Sequence, residues 1–277
     1  MKQFGIDVSL FQGKISWEKL VGANPSLSFA ILKASQGPSP FSEVSFSDPR
    51  FAENVAGASA AGLALGAYHL LTGTTQAAVR EEALFFTSLL SRYREKITLP
   101  AAVDFEELPG IPSYSDKSRE ENTLLIRVFC ETVREAGFSP CLYTNRDFLT
   151  NHLEKAALND LPLWYARWGV PEKTALAECP DLSFWQFGTQ SLPEIGEVDV
   201  NYYYPKRKEE NDMPRMQTLS QIEENAPYAL PTVKKLIEKG YLRGNGSTNE
   251  KNEPTGLDLS VDMLRILVIN DRAGLFR

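Results

Sequence analysis

Two carboxylates, Asp104 and Glu106 in the run Ala101-Ala102-Val103-Asp104-Phe105-Glu106, have the spacing in this sequence that most directly suggests chemistry. In an extended strand, residues two apart share a face, with Cα atoms about 6.5 Å apart. Carboxyls that close in a partly dry pocket do not both ionise freely. One pKa rises, which supplies a proton donor near neutral pH. Breaking a glycosidic bond uses such a donor at the leaving oxygen, and a second group to stabilise the developing oxocarbenium charge. In isolation the pair reads as two solvated carboxylates at a strand exit. Asp7 in Gly5-Ile6-Asp7-Val8-Ser9 and Asp199 in Val198-Asp199-Val200-Asn201 shift that reading, because each falls at the end of another predicted strand. Each also has a plain alternative, Asp7 as a cap at a turn and Asp199 as a hydrogen-bonding residue of a closing strand.

The elements that would position these groups follow from apolar periodicity. Short runs rich in β-branched and aromatic residues predict eight strands near residues 4–9, 29–35, 64–71, 101–106, 140–144, 163–167, 184–187 and 198–202. Helical patterns separate the earlier ones: Phe51, Val55, Ala58 and Ala61 form one face ended by Gly62, and a longer pattern over 119–136 is ended by Gly137. Strand–helix alternation predicts a mostly parallel sheet. The segment from Gly188 to Glu197 is too short for a parallel crossover, which predicts a hairpin-like finish. The expected fold is therefore α/β, a modified (β/α) TIM-like barrel with irregular last strands. Catalytic groups of such barrels sit at the C-terminal strand ends. Those ends carry Asp7 and Ser9, Lys33, Tyr68 and His69, Asp104 and Glu106, Tyr143, Trp164, Gln186, then Asp199 and Asn201. An acidic, aromatic-rich mouth of this kind suits carbohydrate. His69 reads as a satisfied polar residue rather than a base or metal ligand, and Trp164, Trp168 and Trp185 read either as core or, for Trp164, as a sugar-facing ring.

The chain divides by composition. Residues 1–204 form the expected barrel domain and hold 17 Lys+Arg against 25 Asp+Glu; the rest holds 12 against 11. An acidic main body argues against nucleic acid as partner, since phosphate binding needs a basic surface. Residues 205–217, opening Pro205-Lys206-Arg207-Lys208-Glu209-Glu210, read as a charged linker. Residues 218–277 read as a small α-helical C-terminal domain. An amphipathic segment there runs from Ala226 through Ile237, with Pro231 beginning or kinking a helix and Gly240 ending it, and a second helix spans about 260–271. Two helices bury little surface alone, which predicts docking or self-association. Cys130, Cys141 and Cys179 make no disulfide framework, and with His69 and His152 as the only histidines no metal site or cofactor is expected. No apolar run approaches the roughly 20 residues of a membrane span, and the N-terminus lacks the pattern of a signal peptide.

Spread over residues 4–203, these motifs resemble glycoside hydrolase family 25, the lysozymes of fungi and phage. The resemblance is carried by Gly5-Ile6-Asp7-Val8-Ser9 with Gln12-Gly13 and Ile15-Ser16-Trp17, by Phe29-Ala30-Ile31-Leu32-Lys33-Ala34-Ser35, and by Asp48-Pro49 with Asn54. Ala61-Gly62-Leu63, Gly66-Ala67-Tyr68-His69, Asp104-Phe105-Glu106, Pro162-Leu163-Trp164, Trp185-Gln186-Phe187 and Val198-Asp199-Val200-Asn201 complete the order. The resemblance implies an N-acetylmuramidase that hydrolyses the β-1,4 bond from N-acetylmuramic acid to N-acetylglucosamine in peptidoglycan. It implies Glu106 as the general acid, and Asp104 as a charge stabiliser or as the group orienting the substrate acetamide. Asp7 and Asp199 would shape the site and tune its pKa values, while Lys33, Tyr68, Tyr143, Trp164 and Gln186 would contact sugar. Whether a carboxylate or the acetamide is the nucleophile stays open. Two positions depart from the pattern: Ser35-Gln36-Gly37 stands where Thr-Glu-Gly is common, and Leu70 stands where an aromatic is frequent.

The tail faintly resembles a single surface-layer-homology-type repeat, which implies cell-wall binding or self-association. An external substrate without a visible leader leads to the expectation of a phage-type endolysin, held in the host cytoplasm until it is released to the wall. A bacterial autolysin, another sugar-cleaving barrel such as a chitinase, and a non-catalytic wall-binding module are the alternatives.

Overall fold

The computed structural model describes residues 2–40, 42–107, 109, 113–205, 216–259 and 261–276. The first unit, Met1–Pro205, contains β1 (Gln3–Val8), α1 (Trp17–Ala23), β2 (Leu27–Gln36), the two-residue β3 (Phe46–Ser47), α2 (Phe51–Ala60), β4 (Ala64–Leu70) and α3 (Gln76–Ser91). It continues with β5 (Ile97–Asp104), α4 (Arg119–Glu135), β6 (Pro140–Asn145), β7 (Leu163–Ala166), α5 (Glu172–Glu178), β8 (Phe184–Leu192) and β9 (Gly196–Tyr203). The strands neighbour one another in the order β1-β9-β8-β7-β6-β5-β4-β2-β3, and β1 also pairs with β2, so eight strands close into a barrel with β3 attached at the end of β2. Parallel pairing runs from β1 and β2 round to β8, while β9 is antiparallel to both of its neighbours.

Alternation along each strand divides the core in two. Phe29, Ile31, Ala102, Cys141, Tyr143, Trp164 and Phe184 point inward and pack as one cluster. Ile6, Val8, Ala30, Leu32, Ala34, Val103, Leu142 and Val200 point outward and join the apolar faces of the helices. An aromatic plug fills the lower barrel: the Phe184 ring stacks on Tyr203 at 4.4 Å and meets Phe29 edge-on at 5.8 Å. Gly5 faces this plug, and a Cβ placed there would lie 2.5 Å from Phe29 ring carbons.

The helices are fixed by local signals. Ser118 and Glu121 form a reciprocal capping box at the start of α4, and Gly62 and Gly137 take φ of 82° and 80° beyond α2 and α4. The buried face of α3 carries Val79, Ala83, Phe86 and Leu90 but also Glu82, which interrupts the apolar stripe. Glu82 is buried because it meets His69. The His69 Nε2–H donates to Glu82 Oε2 at 2.8 Å, and Nδ1 accepts from Ser35 Oγ at 2.8 Å. Thr72 adds donors from its backbone N–H and its hydroxyl. Burial lowers the His69 pKa against the raising effect of Glu82, so the imidazole is neutral. His69 thus lies between sheet and helix, outside the barrel.

Three expectations need correction. The strand at 101–106 begins earlier, at Ile97, and ends at Asp104, so Glu106 stands on the loop beyond β5. The hairpin finish is longer than expected. β8 and β9 pair out to Leu192↔Gly196 around a turn of Pro193, Glu194 and Ile195, using most of the predicted loop as ladder. Because β9 runs antiparallel, Asp199 and Asn201 reach the mouth from its middle and not from a C-terminal end.

The second unit, Lys206–Arg277, holds α6 (Leu219–Asn225), a short turn at Pro227–Ala229, α7 (Leu230–Glu238) and α8 (Val261–Arg272). Met216, Leu219, Ile222, Ala226, Ala229, Val233, Leu257, Leu259, Leu264 and Val268 form its own core. The linker expected at 205–217 falls mostly on 206–215, outside the described residues. Met216 is paired with Leu259 through both backbone bonds, which makes it part of this unit's framework. Among the described residues no helix is long and apolar enough to cross a membrane.

Overpacking a filled core is costly. Gly5→Ala is expected to destabilise the barrel by about 1–3 kcal/mol, whereas Gly22→Ala, inside α1 and with nothing within 4 Å of the new methyl, should stabilise by about 0.5–1 kcal/mol. Urea midpoints of the two variants against the parent check this.

Candidate active site

Above the aromatic plug, the strand ends enclose a cavity of about 320 Å3 lined by Asp7, Tyr68, Asp104, Glu106, Tyr143, Trp164, Gln186 and Asp199. All four predicted acids therefore face one space, together with four of the five expected sugar-contacting residues. Lys33, the fifth, neighbours Tyr68 across β2 and β4 and acts electrostatically on Asp104 and Glu106. Its ammonium donates to the neutral Gln36 Oε1 at 2.8 Å, and its charge acts on Asp104, Asp48 and Glu106.

Each acid arrives by a different route. Asp7 lies on β1 directly opposite Asp199 of β9, and like charges in such a cross-strand pair repel. Asp104 closes β5. Glu106 continues the in-and-out alternation past the strand, because Phe105 still donates its N–H to the Tyr143 carbonyl and buries its ring between Tyr114 and Phe148. The sequence expectation that Asp104 and Glu106 share a face survives even though the ladder ends between them.

A chain of oriented amides holds Asp7. Its Oδ2 accepts from Gln186 Nε2 at 2.9 Å and Asn201 Nδ2 at 2.8 Å. Asn201 Oδ1 in turn accepts from the Trp164 indole at 2.7 Å, and Gln186 Oε1 accepts from the Tyr143 hydroxyl and the Trp168 indole, both at 3.0 Å. Each amide oxygen faces only donors and each amide nitrogen a carboxylate, which settles both orientations.

Burial and mutual repulsion move the carboxyls toward their neutral forms. Desolvation, then the Asp199 charge, raises Asp7 from 3.8 to about 7 against the two amide donors. Desolvation, then Asp199, raises Glu106 from 4.5 to about 7, with Lys33 opposing. Asp104 is raised well above its ordinary value by burial and by Glu106, and among the described residues its buried Oδ1 has no hydrogen-bond partner. Burial also raises Asp199 and, from the other side, lowers Lys33. Glu106 is the least enclosed of the raised pair Asp7 and Glu106. It also lines a second, wider recess of about 650 Å3 with Tyr143, Asn145, Arg146, Asp147, Ala166, Arg167, Trp168 and Gln186. A carboxyl that is protonated near neutrality and open to a groove can deliver a proton to a bound substrate.

Two features were not singled out from sequence. Asn201 falls in a predicted strand with no role implied for it; its spacing of two from Asp199 on one strand face is the available signal. Trp164 is buried, 2% exposed at the cavity floor, while Trp168 is 49% exposed at the rim. The sequence reads Trp168 as core and Trp164 as core or sugar-facing; the exposed ring is the one that falls past the end of β7 at Ala166.

A family model described as "Glycosyl hydrolases family 25" matches residues 6–194. Lysozyme M1 of Streptomyces globisporus is 29% identical over 209 residues, covering 72% of this chain and 67% of the relative. The autolytic lysozyme of Clostridium acetobutylicum is 26% identical over 166 residues, covering 60% of this chain and 45% of that protein. Among solved structures, the bacterial lysozyme of Streptomyces coelicolor superposes with a TM-score of 0.61 at 28% identity, over 73% of this chain and 91% of that one.

The raised Glu106 pKa has a consequence for stability. A group whose folded pKa lies above its unfolded value favours the native state below the unfolded pKa, and that contribution is lost as pH rises through the folded value. Glu106→Gln should therefore be more stable than the parent at pH 8, by about 1–3 kcal/mol after allowing for partial exposure. The difference should fade as pH falls toward 4. Urea unfolding at both pH values measures it, and a gain that persists unchanged at low pH would contradict the assignment.

Proposed function

This chain belongs to the glycosyl hydrolases of family 25, and we propose that it is an N-acetylmuramidase that cuts the β-1,4 bond between N-acetylmuramic acid and N-acetylglucosamine in peptidoglycan. The observation that carries the reading is the convergence of four carboxyls on one cavity with Glu106 raised to about 7 and open to the groove. Glu106 gives its proton to the glycosidic oxygen as the C1–O bond breaks. Asp104, enclosed beside it, stabilises the developing positive charge or orients the acetamido group that attacks C1. Lys33, the cation acting on both, favours their ionised forms after proton transfer. Asp7, Asp199, Gln186 and Asn201 hold the rim and tune these pKa values, and Tyr68 and Tyr143 line the sugar path. Activity is expected to fall as pH rises past about 7, because the acid is then lost.

The proposed setting is lysis of a bacterial host by a phage-type enzyme that stays inside the cell until the membrane opens. A bacterial autolysin with the same chemistry is the second reading, favoured by the autolytic lysozyme among the relatives. Fractionation of producing cells separates the two: retention inside until permeabilisation supports the first, and presence in the wall of intact cells supports the second. The C-terminal unit is proposed to bind wall polymer or to self-associate. Its helix α8 exposes Ile266 and Ile269, with Leu275 exposed just beyond the helix.

Two experiments test these readings. Glu106→Gln should lose about 10²–10⁴-fold in lysis of purified walls while still binding them. Fragments from the parent should carry new reducing ends on muramic acid; ends on glucosamine would exclude this bond, and full activity in the variant would remove Glu106 from its role. Deleting residues 206–277 should weaken wall binding or lower the number of chains per particle, read from the molar mass at sedimentation equilibrium. A truncated chain unchanged in both would leave the C-terminal proposal without support.

A further inference from the structure

The recess beside Glu106 is larger than proton delivery requires, and its walls have a specific composition. One wall is Trp168, half exposed yet fixed, because its indole N–H is held at 3.0 Å by the same Gln186 oxygen that anchors Tyr143. An exposed ring held this way offers a flat apolar face at little ordering cost on binding. The opposite character comes from arginines. Arg167 is neutralised by Glu178 through two bonds, Nε to Oε2 at 2.9 Å and Nη2 to Oε1 at 3.3 Å, and Tyr165 adds a third donor to that carboxylate. Arg146 approaches the same Glu178 through Nε at 3.4 Å, with its side chain 59% exposed. Two guanidiniums thus share one carboxylate, and among the described residues no hydrogen bond holds the terminal nitrogens of Arg146, which lines the recess. Asp147, the other acid there besides Glu106, is engaged within its own turn by Asn151 Nδ2 at 2.7 Å and His152 Nε2 at 3.7 Å.

We propose that this recess is a subsite for a carboxylate-bearing sugar unit, with Trp168 as the stacking face and Arg146 as the group that reads the carboxylate. The inference deepens the muramidase reading and rests on it. Those of the four carboxyls that are ionised repel an anionic polymer, and a cation at the edge of the cavity offsets that repulsion and fixes register. Muramic acid supplies such a carboxyl from its lactyl ether when the peptide is absent, or from the stem when it is present.

Steady-state kinetics on three soluble glycan strands test the assignment: stem-bearing, stem-free with the lactyl carboxyl intact, and stem-free with that carboxyl converted to a neutral amide. Arg146→Met should raise KM about tenfold on a carboxylate-bearing strand with kcat unchanged. The parent should show the same weakened KM on the neutral strand, where the variant adds nothing. Whichever of the first two strands suffers the larger loss identifies the carboxyl that is read. Trp168→Ala should raise KM on all three alike, because stacking needs no charge. A KM for Arg146→Met within about twofold of the parent on both charged strands, or an equal loss on the neutral one, would overturn the subsite alone. If the parent cuts none of the three, the muramidase reading falls and the subsite with it.

Discussion

Four carboxyl groups in one narrow cavity repel one another, and a frame stiff enough to prevent their separation is the condition on which the site depends. The barrel provides it by closure. β1 carries Asp7 and is paired on both sides, to β2 and to β9, so Asp7 and Asp199 stay opposite each other across a ladder neither strand can leave. Compensation differs from acid to acid: neutral donors serve Asp7, and a cation serves Asp104 and Glu106. Gln186 and Asn201 direct two amide N–H groups at Asp7, and Lys33 is the cation whose charge acts on Asp104 and Glu106. Donors stabilise a carboxylate without removing the reason for a proton to remain nearby, which suits a site whose task is to hold and release one.

The packing beneath and around the cavity serves the same end. Phe29, Phe184 and Tyr203 fill the lower barrel, so the acids rest on a dry floor that raises their pKa values. Outside the sheet, the buried His69–Glu82 pair ties β4 to α3, with Ser35 of β2 joined through the other ring nitrogen. A polar network in that layer fixes register more narrowly than apolar contact does, since each donor has one acceptor in reach. The site is held at a cost to native stability near neutral pH, a common relation between function and stability.

Gln186 links acid chemistry to recognition. One face of its amide donates to Asp7 and the other accepts from Tyr143 and Trp168, so the pocket acid and the wall of the outer recess share a single rigid group. A substrate unit lying on the exposed indole is placed against a surface already registered to the acids.

Much of this was legible in residue order. The eight strands, the hairpin finish, the terminating roles of Gly62 and Gly137, and the placement of Asp7 and Asp104 near strand ends follow from local periodicity and turn chemistry, whereas Glu106 falls on the loop past β5 and Asp199 in the middle of β9. Helix α3 was harder to see, because Glu82 breaks its apolar stripe for a partner 13 residues upstream. The difference between buried Trp164 and exposed Trp168 and the amide chain through Asn201 were not readable, nor was the sharing of Glu178 by two arginines. Local sequence determined which groups exist and which face of a strand each occupies, because side-chain direction alternates with a period of two. Only the tertiary structure decided that positions 7, 104, 106, 186, 199 and 201 meet, because closing a sheet joins the first strand to the last and no short window of the chain contains both.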